Sequence, residues 1–241
     1  MTNIIIPAVT EDQKHYILYD AASMESPSAS LFKPDWLAQH GEIDDISAGR
    51  GAAWFINYKQ QQWVLRHYRR GGLVARLIND TYLGFFLNRS RSWREWKLLH
   101  KLYTHKLPVP RPVAASVKRM ICFYTADIIV ETIPDTETLA KLLCQQQLDD
   151  SQWQNIGATI RQFHDFNLYH ADLNAHNILL NKERDVFIID FDRGRIRNNG
   201  SWKSANLQRL QRSLNKLNNM HNTFNYSDHN WQALLTGYDL K

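Results

Sequence analysis

Apolar residues recur at helical spacing in three stretches of the chain. Trp96, Leu99, Leu102 and Tyr103 follow Ser92-Trp93-Arg94-Glu95, and Trp153, Ile156, Ile160 and Phe163 share one face of a run over about 151–166. Both patterns predict amphipathic helices with those side chains in the core. A third run, Leu207, Leu210, Leu214 and Leu217, predicts a helix beginning near Asn206, and a short one is expected over 139–143. A glycine-bearing turn feeds a strand within 48–58, and further strand-like runs cover 63–68, 120–124, 127–130 and 186–189, the last preceded by a turn at Asn181-Lys182-Glu183-Arg184-Asp185. Pro108-Val109-Pro110-Arg111-Pro112 must be extended, because each proline disfavours helix in the residue before it. Residues 1 to about 40 read as irregular, apart from one helical turn over 35–40.

The chemistry is concentrated after the second long helix. His170-Ala171-Asp172-Leu173-Asn174-Ala175-His176-Asn177 fits H-x-D-x-x-x-x-N, in which the aspartate takes the proton of an attacking hydroxyl and the asparagine holds a metal ion. The strand Val186-Phe187-Ile188-Ile189 then ends in Asp190-Phe191-Asp192, which suits a carboxylate that bridges magnesium and nucleotide phosphates. Either half alone is ordinary loop composition. Together, in this order and joined by a short hairpin, they point to magnesium-assisted phosphoryl transfer from a nucleotide. Asp172 is the expected base, Asn177 and Asp190 the expected metal ligands, and His170 a scaffold of the loop. Asp192 has two readings, a further metal contact or a partner for Arg193 or Arg195, of which the partner role is favoured.

The first half offers the parts that would hold a nucleotide. Gly49 and Gly51 lie in a turn feeding a strand and would let backbone approach phosphates closely. Val64-Leu65-Arg66 aligns with the V-A-I-K pattern only with arginine in place of lysine, so Arg66 would meet phosphate as a planar fork. Glu95 has two readings. Ser92-x-x-Glu95 is a capping box, and alternatively Glu95 pairs with Arg66 as a kinase glutamate pairs with its strand cation. Glu131-Thr132-Ile133-Pro134 would connect two lobes, with backbone of Glu131 and Ile133 available to an adenine edge. No A-P-E tripeptide follows Asp190, and Ala171 stands where a phosphate-reading arginine would be. Both absences favour a constitutively formed small-substrate kinase over a phosphorylation-switched one.

Composition adds less. The 241 residues, 44% apolar and 22% charged, suit a globular enzyme of one or two lobes. No apolar run reaches the ~18 residues of a membrane span, and the N-terminal stretch lacks a secretory pattern. Cys122 and Cys144 have no metal-ligand spacing and read as buried reduced thiols. The 29 Lys+Arg against 24 Asp+Glu leave a formal +5, with basic residues bunched at Arg66–Arg76, Arg89–Arg94 and Arg193–Lys203. That bunching favours an anionic substrate or membrane surface. Nucleic acid is not expected, since no binding motif or interleaved aromatic platform is present.

Three runs carry a resemblance: RQFHDFNLYHADLNAHNILL at 161–180, IIDFDRGRIR at 188–197 and WVLRHYRRGG at 63–72. They resemble the 3-deoxy-D-manno-octulosonic acid (Kdo) kinase family of Gram-negative bacteria, from the Gly49 region to the C-terminal leucine helix. The resemblance implies an α+β, protein-kinase-like two-lobed fold, with an antiparallel-sheet nucleotide-binding lobe over 1–133 and a mainly helical catalytic and substrate lobe over 134–241. It further implies ATP-dependent phosphorylation of the 4-hydroxyl of Kdo on a lipid A precursor, at the cytoplasmic side of the inner membrane, with the protein bound peripherally to an anionic surface. A lipopolysaccharide heptose kinase would share the same catalytic residues. A catalytically silent binding module is the alternative from another class.

Overall fold

The computed structural model describes residues 4–12, 14–40, 43–47, 53–68, 82–83, 86–120 and 123–240. Gly49, Gly51, Arg69, Arg70, Arg76 and Cys122 lie outside them. The chain forms two compact units, Met1–His105 with Pro110–Thr132, and Lys106–Val109 with Ile133–Lys241. The class is α+β, with the long antiparallel sheet in the first unit and most of the helix in the second.

The first unit contains β1 (Pro7–Asp12), β2 (His15–Asp20), α1 (Pro34–Gln39), β3 (Ile43–Ser47), β4 (Ala53–Tyr58), β5 (Gln61–His67), β6 (Tyr82–Leu83), α2 (Arg91–Thr104), β7 (Pro112–Met120) and β8 (Phe123–Glu131). Its sheet runs β1-β2-β7-β8-β5-β4-β3, antiparallel throughout, with β6 paired to β8. Ile17, Trp63, Leu65 and Ile129 bury one face with Leu31, Phe32 and Leu37. Each large apolar side chain buried in this way contributes about 1.5–3 kcal/mol. Helix α2 packs on β7 and β8, and its Trp96, Leu99 and Leu102 are buried as their spacing predicts.

Two expectations fail here. Pro7–Asp12 and His15–Asp20 form the antiparallel β1–β2 pair rather than irregular chain. The His15–Asp20 strand is buried almost throughout, so its apolar residues do not alternate. Its polar ends are satisfied by distant partners, His15 Nδ1 by Ser116 Oγ at 3.0 Å and Asp20 by Arg111 Nη2 at 2.6 Å. The strands expected at 120–124 and 127–130 are instead the single strand β8, and β7 precedes it. Ala114 and Ala115 are fully buried, and alanine carries little strand propensity even where a sheet needs it.

The second unit contains β9 (Glu137–Thr138), α3 (Leu139–Gln145), α4 (Asp150–Asp165), β10 (Leu168–Tyr169), β11 (Ile178–Leu180), β12 (Val186–Ile188), β13 (Arg195–Ile196), α5 (Trp202–Met220) and α6 (Asp228–Asp239). Asp149 starts α4 with a reciprocal capping box to Gln152, which satisfies donors the first helical turn leaves open. Helix α5 begins at Trp202, four residues before the expected start. Its buried face is Trp202, Asn206, Leu210, Leu214 and Leu217, so Leu207 falls off the stripe. Cys144 is free and half-buried rather than buried.

Helices α4 and α6 touch backbone to backbone at two glycines. A Cβ on Gly157 would lie 1.9 Å from the Leu234 carbonyl oxygen, and one on Gly237 would lie 1.9 Å from that of Gln154. Backbone cannot rotate away as a side chain can. Gly157→Ala should therefore destabilise the protein by about 1–3 kcal/mol or more, read as a lower urea midpoint; an unchanged midpoint would refute the close crossing.

His164, on α4, hydrogen-bonds Tyr238 Oη at 2.8 Å and is pushed down to about 4, chiefly by burial. The unfolded chain takes up this proton near pH 6.5 and the folded chain only near 4. Stability is thus full above pH 6.5 and is lost as pH falls towards 4, by up to roughly 3 kcal/mol. Urea melts at pH 7.5 and 4.5 should show a smaller loss for His164→Gln than for the wild type, and equal losses would contradict the assignment.

Candidate active site

In the second unit the chain returns four expected residues to one place. His170 is 4% exposed, and its two ring nitrogens bond different segments. Nδ1 accepts the Asp172 N–H at 3.1 Å, and Nε2 lies 3.0 Å from the Ile189 carbonyl oxygen. With Nδ1 an acceptor, Nε2 carries the proton and donates it to Ile189. Burial lowers the imidazole below its ordinary range, so this neutral tautomer is the one the site holds. Phe191 meets the ring edge-on at 5.1 Å and stacks on Phe163, which fills the space behind it.

Asn177 donates from Nδ2 to the Asp172 carbonyl oxygen at 2.9 Å, and its own carbonyl accepts the Ile189 N–H at 3.0 Å. The side-chain Oδ1 has no protein partner among the described residues and is the atom available to a cation. Asp190 follows Ile189 with φ 63°, a left-handed conformation that aspartate tolerates better than most residues. Such strain persists where the surroundings over-determine it, and the Ile189 bonds on either side of its peptide supply that constraint. Among the described residues no group of three His, Cys, Asp or Glu side chains forms a self-contained metal cage. One amide oxygen and one carboxylate nevertheless fit magnesium, which takes few protein ligands when phosphates and water supply the rest.

Asp172 itself is exposed at 60%. Its Oδ2 accepts Asn174 Nδ2 at 3.1 Å and its Oδ1 accepts Arg209 Nη1 at 3.0 Å. Three polar residues on α5 hold this loop: Asn206, Arg209 and Ser213, spaced i, i+3, i+7. Asn206, 2% exposed, clasps the His170 backbone, accepting its N–H at 3.2 Å and donating to its carbonyl at 2.8 Å. Ser213 Oγ accepts the Ala175 N–H at 3.3 Å. None of the three was singled out from sequence, although Asn206 falls in register with the buried Leu210, Leu214 and Leu217.

In the first unit, Arg66 Nη2 donates to Glu95 Oε1 at 2.5 Å, and Tyr68 Oη donates to Glu95 Oε2. Glu95 is 3% exposed. The capping-box reading is corrected: Ser90 precedes α2 as its cap residue, and Ser92 lies inside the helix with Oγ bonded to the Ser116 carbonyl at 3.0 Å. Glu131 ends β8, its N–H on the Arg111 carbonyl at 2.9 Å, and burial raises its carboxyl despite Arg111 nearby. Ile133 begins the second unit, and its carbonyl accepts Thr136 Oγ1 at 2.9 Å. Several basic residues expected at a surface lie over aromatic rings, Arg91 over Tyr68 and both Arg195 and Arg197 over Tyr169.

A sequence profile described as the lipopolysaccharide kinase (Kdo/WaaP) family matches residues 34–238. Three relatives share the name 3-deoxy-D-manno-octulosonic acid kinase. The protein of Vibrio cholerae serotype O1 is 37% identical over 85% of this chain and 87% of its own length. That of Photobacterium profundum is 38% identical over 93% and 94%. That of Mannheimia succiniciproducens is 37% identical over 95% and 98%. Among solved structures, the Cydia pomonella granulovirus kinase PK-1 aligns with a TM-score of 0.45 at 14% identity, over 71% of this chain and 58% of that one.

Breaking the buried pair tests what Glu95 does. Glu95→Gln keeps the shape and removes the charge that holds Arg66, and losing such a charge-assisted bond should raise the KM for ATP roughly ten- to hundredfold. A shift in melting temperature with no change in KM would leave the pair a purely structural feature.

Proposed function

The chain belongs to the lipopolysaccharide kinase (Kdo/WaaP) family, and on that premise we propose that it transfers the γ-phosphoryl group of ATP to the 4-hydroxyl of Kdo on a lipid A precursor. It is an ATP-dependent phosphotransferase of lipopolysaccharide biosynthesis. The identity of the acceptor rests on one observation: relatives named for Kdo match nearly the whole length of the chain.

The proposed step is a displacement at phosphorus. The sugar hydroxyl oxygen bonds to the γ-phosphorus, the bond to the β,γ-bridging oxygen breaks, ADP leaves with that electron pair, and the hydroxyl proton passes to Asp172. An exposed carboxylate suits this role, because the acceptor must reach it. Asn177 Oδ1 and the Asp190 carboxylate would hold Mg2+, which when bound supplies positive charge against the phosphate oxygens. Arg66 would meet the nucleotide phosphates, held in its rotamer by Glu95. Backbone of Glu131 and Ile133 would contact the adenine, and Gly49 and Gly51 would cover the phosphates. By the same reading residues 1–133 carry the nucleotide and 134–241 the catalytic and acceptor chemistry.

The acceptor is a lipid, so the enzyme is proposed to work peripherally at the cytoplasmic side of the inner membrane. None of the described helices is long and apolar enough to cross a membrane. Arg193 and Arg195 are exposed beside Ile196, which is 41% exposed, a combination that suits an anionic interface.

Purified protein with Mg-ATP should phosphorylate the 4-hydroxyl of a Kdo-bearing lipid A precursor, with the position read by NMR of the product. Asp172→Ala should lower turnover ~10²–10⁴-fold while ATP still binds, whereas Asp190→Ala should weaken Mg-ATP binding measured by calorimetry as well as turnover. Phosphorylation of a heptose-bearing core in place of Kdo, or near-normal turnover by folded Asp172→Ala, would overturn the reading.

A further inference from the structure

The loop from Asp172 to Asn177 contains no lysine or arginine. The cation at the base comes instead from α5, where Arg209 Nη1 donates to Asp172 Oδ1 at 3.0 Å. Its neighbours on the α5 stripe do a different job. Asn206 and Ser213 hydrogen-bond loop backbone at His170 and Ala175, and so anchor the loop without any charge.

Arg209 is a weak anchor by comparison. Its side chain is 46% exposed, and it reaches a carboxylate that is 60% exposed. Exposed ion pairs of this kind add little stability. The placement makes chemical sense if Arg209 has a second anion to bind. The guanidinium has five N–H donors in a planar fork, and among the described residues it makes a single hydrogen bond, to Asp172. That fork matches a carboxylate in bidentate geometry.

We infer that Arg209 is a specificity-determining residue that binds the carboxylate of the acceptor sugar and thereby delivers a neighbouring hydroxyl to Asp172. The inference rests on the proposed acidic-sugar acceptor. In a 2-ulosonic acid the carboxylate is borne on C2 and the 4-hydroxyl lies on the same ring, so one ring presents both groups at once. A hydroxyl in contact with Asp172 brings its carboxylate within reach of the guanidinium already bonded to that aspartate.

The test uses the full chain in detergent with ATP and two acceptors, the Kdo-bearing lipid A precursor and the same lipid with the Kdo carboxylate converted to a primary amide. Arg209→Gln should raise the KM for the acid roughly ten- to hundredfold, the effect of losing a charge-assisted bond, and leave the KM for ATP unchanged. The amide should be a poor acceptor for the wild type and equally poor for Arg209→Gln, and Arg209→Lys should recover part of the affinity for the acid. An equal fall in kcat on both acceptors would overturn the proposal, since it marks a residue that only steadies Asp172. So would a wild type that uses amide and acid alike. If Arg209→Gln no longer binds ATP by calorimetry, the acid-to-amide ratio of Arg209→Lys decides by the same criterion. Failure of the broader reading looks different: the wild type then phosphorylates neither Kdo acceptor, and the proposal falls with it.

Discussion

His170 has to satisfy two ring nitrogens where almost no water reaches, and that requirement sets the geometry around it. A buried imidazole without partners for both nitrogens would carry the cost of an unmade hydrogen bond, about 1–3 kcal/mol. Here one nitrogen takes the Asp172 N–H and the other gives its proton to the Ile189 carbonyl. The first bond fixes the backbone of the expected base, and the second fixes the residue just before the expected metal ligand Asp190. One neutral ring therefore couples the two carboxylates of the site, and charging it would require either a buried imidazolium or the loss of the bond to Asp172.

Everything else in the second unit supports that ring or extends from it. Asn206 fixes the His170 backbone from α5, Phe191 closes the ring's edge, and Asn177 ties the Asp172 carbonyl to the Ile189 N–H. The buried atoms are thus the supporting ones, and the exposed carboxylate of Asp172 is the one proposed to react. The first unit repeats this division around Glu95. The carboxylate is buried, and the Arg66 guanidinium it orients is the more exposed partner. In both places burial strengthens the bonds that orient a group whose reacting end must remain reachable.

Much of this was legible in the sequence. Helical periodicity identified α2 and α4 with their buried faces, and motif spacing brought together His170, Asp172, Asn177 and Asp190, because local order along the chain carries both signals. The β1–β2 hairpin and β7 escaped notice for a physical reason. Strand β2 and the first six residues of β7 are buried with little alternation, and their polar residues find partners far away in sequence, as His15 does at Ser116. Glu95 could not be resolved between a cap and an ion pair until Ser92 was seen inside the helix. Gly157 and Gly237 carry no sequence signal for the helix they admit. Asn206 was detectable in principle, as a polar residue in register with the buried Leu210, Leu214 and Leu217, whereas Arg209 and Ser213 lie off that stripe and carry no such signal.

The coupling through His170 can be measured directly by 15N NMR of the imidazole in the folded protein. A neutral ring with the proton on Nε2 is predicted, its two nitrogen shifts well separated and unchanged as pH is lowered through 6.5. A ring protonated on Nδ1, or one that titrates near the ordinary histidine value, would contradict the account, because the Asp172 N–H and the Ile189 carbonyl could not then both bond it.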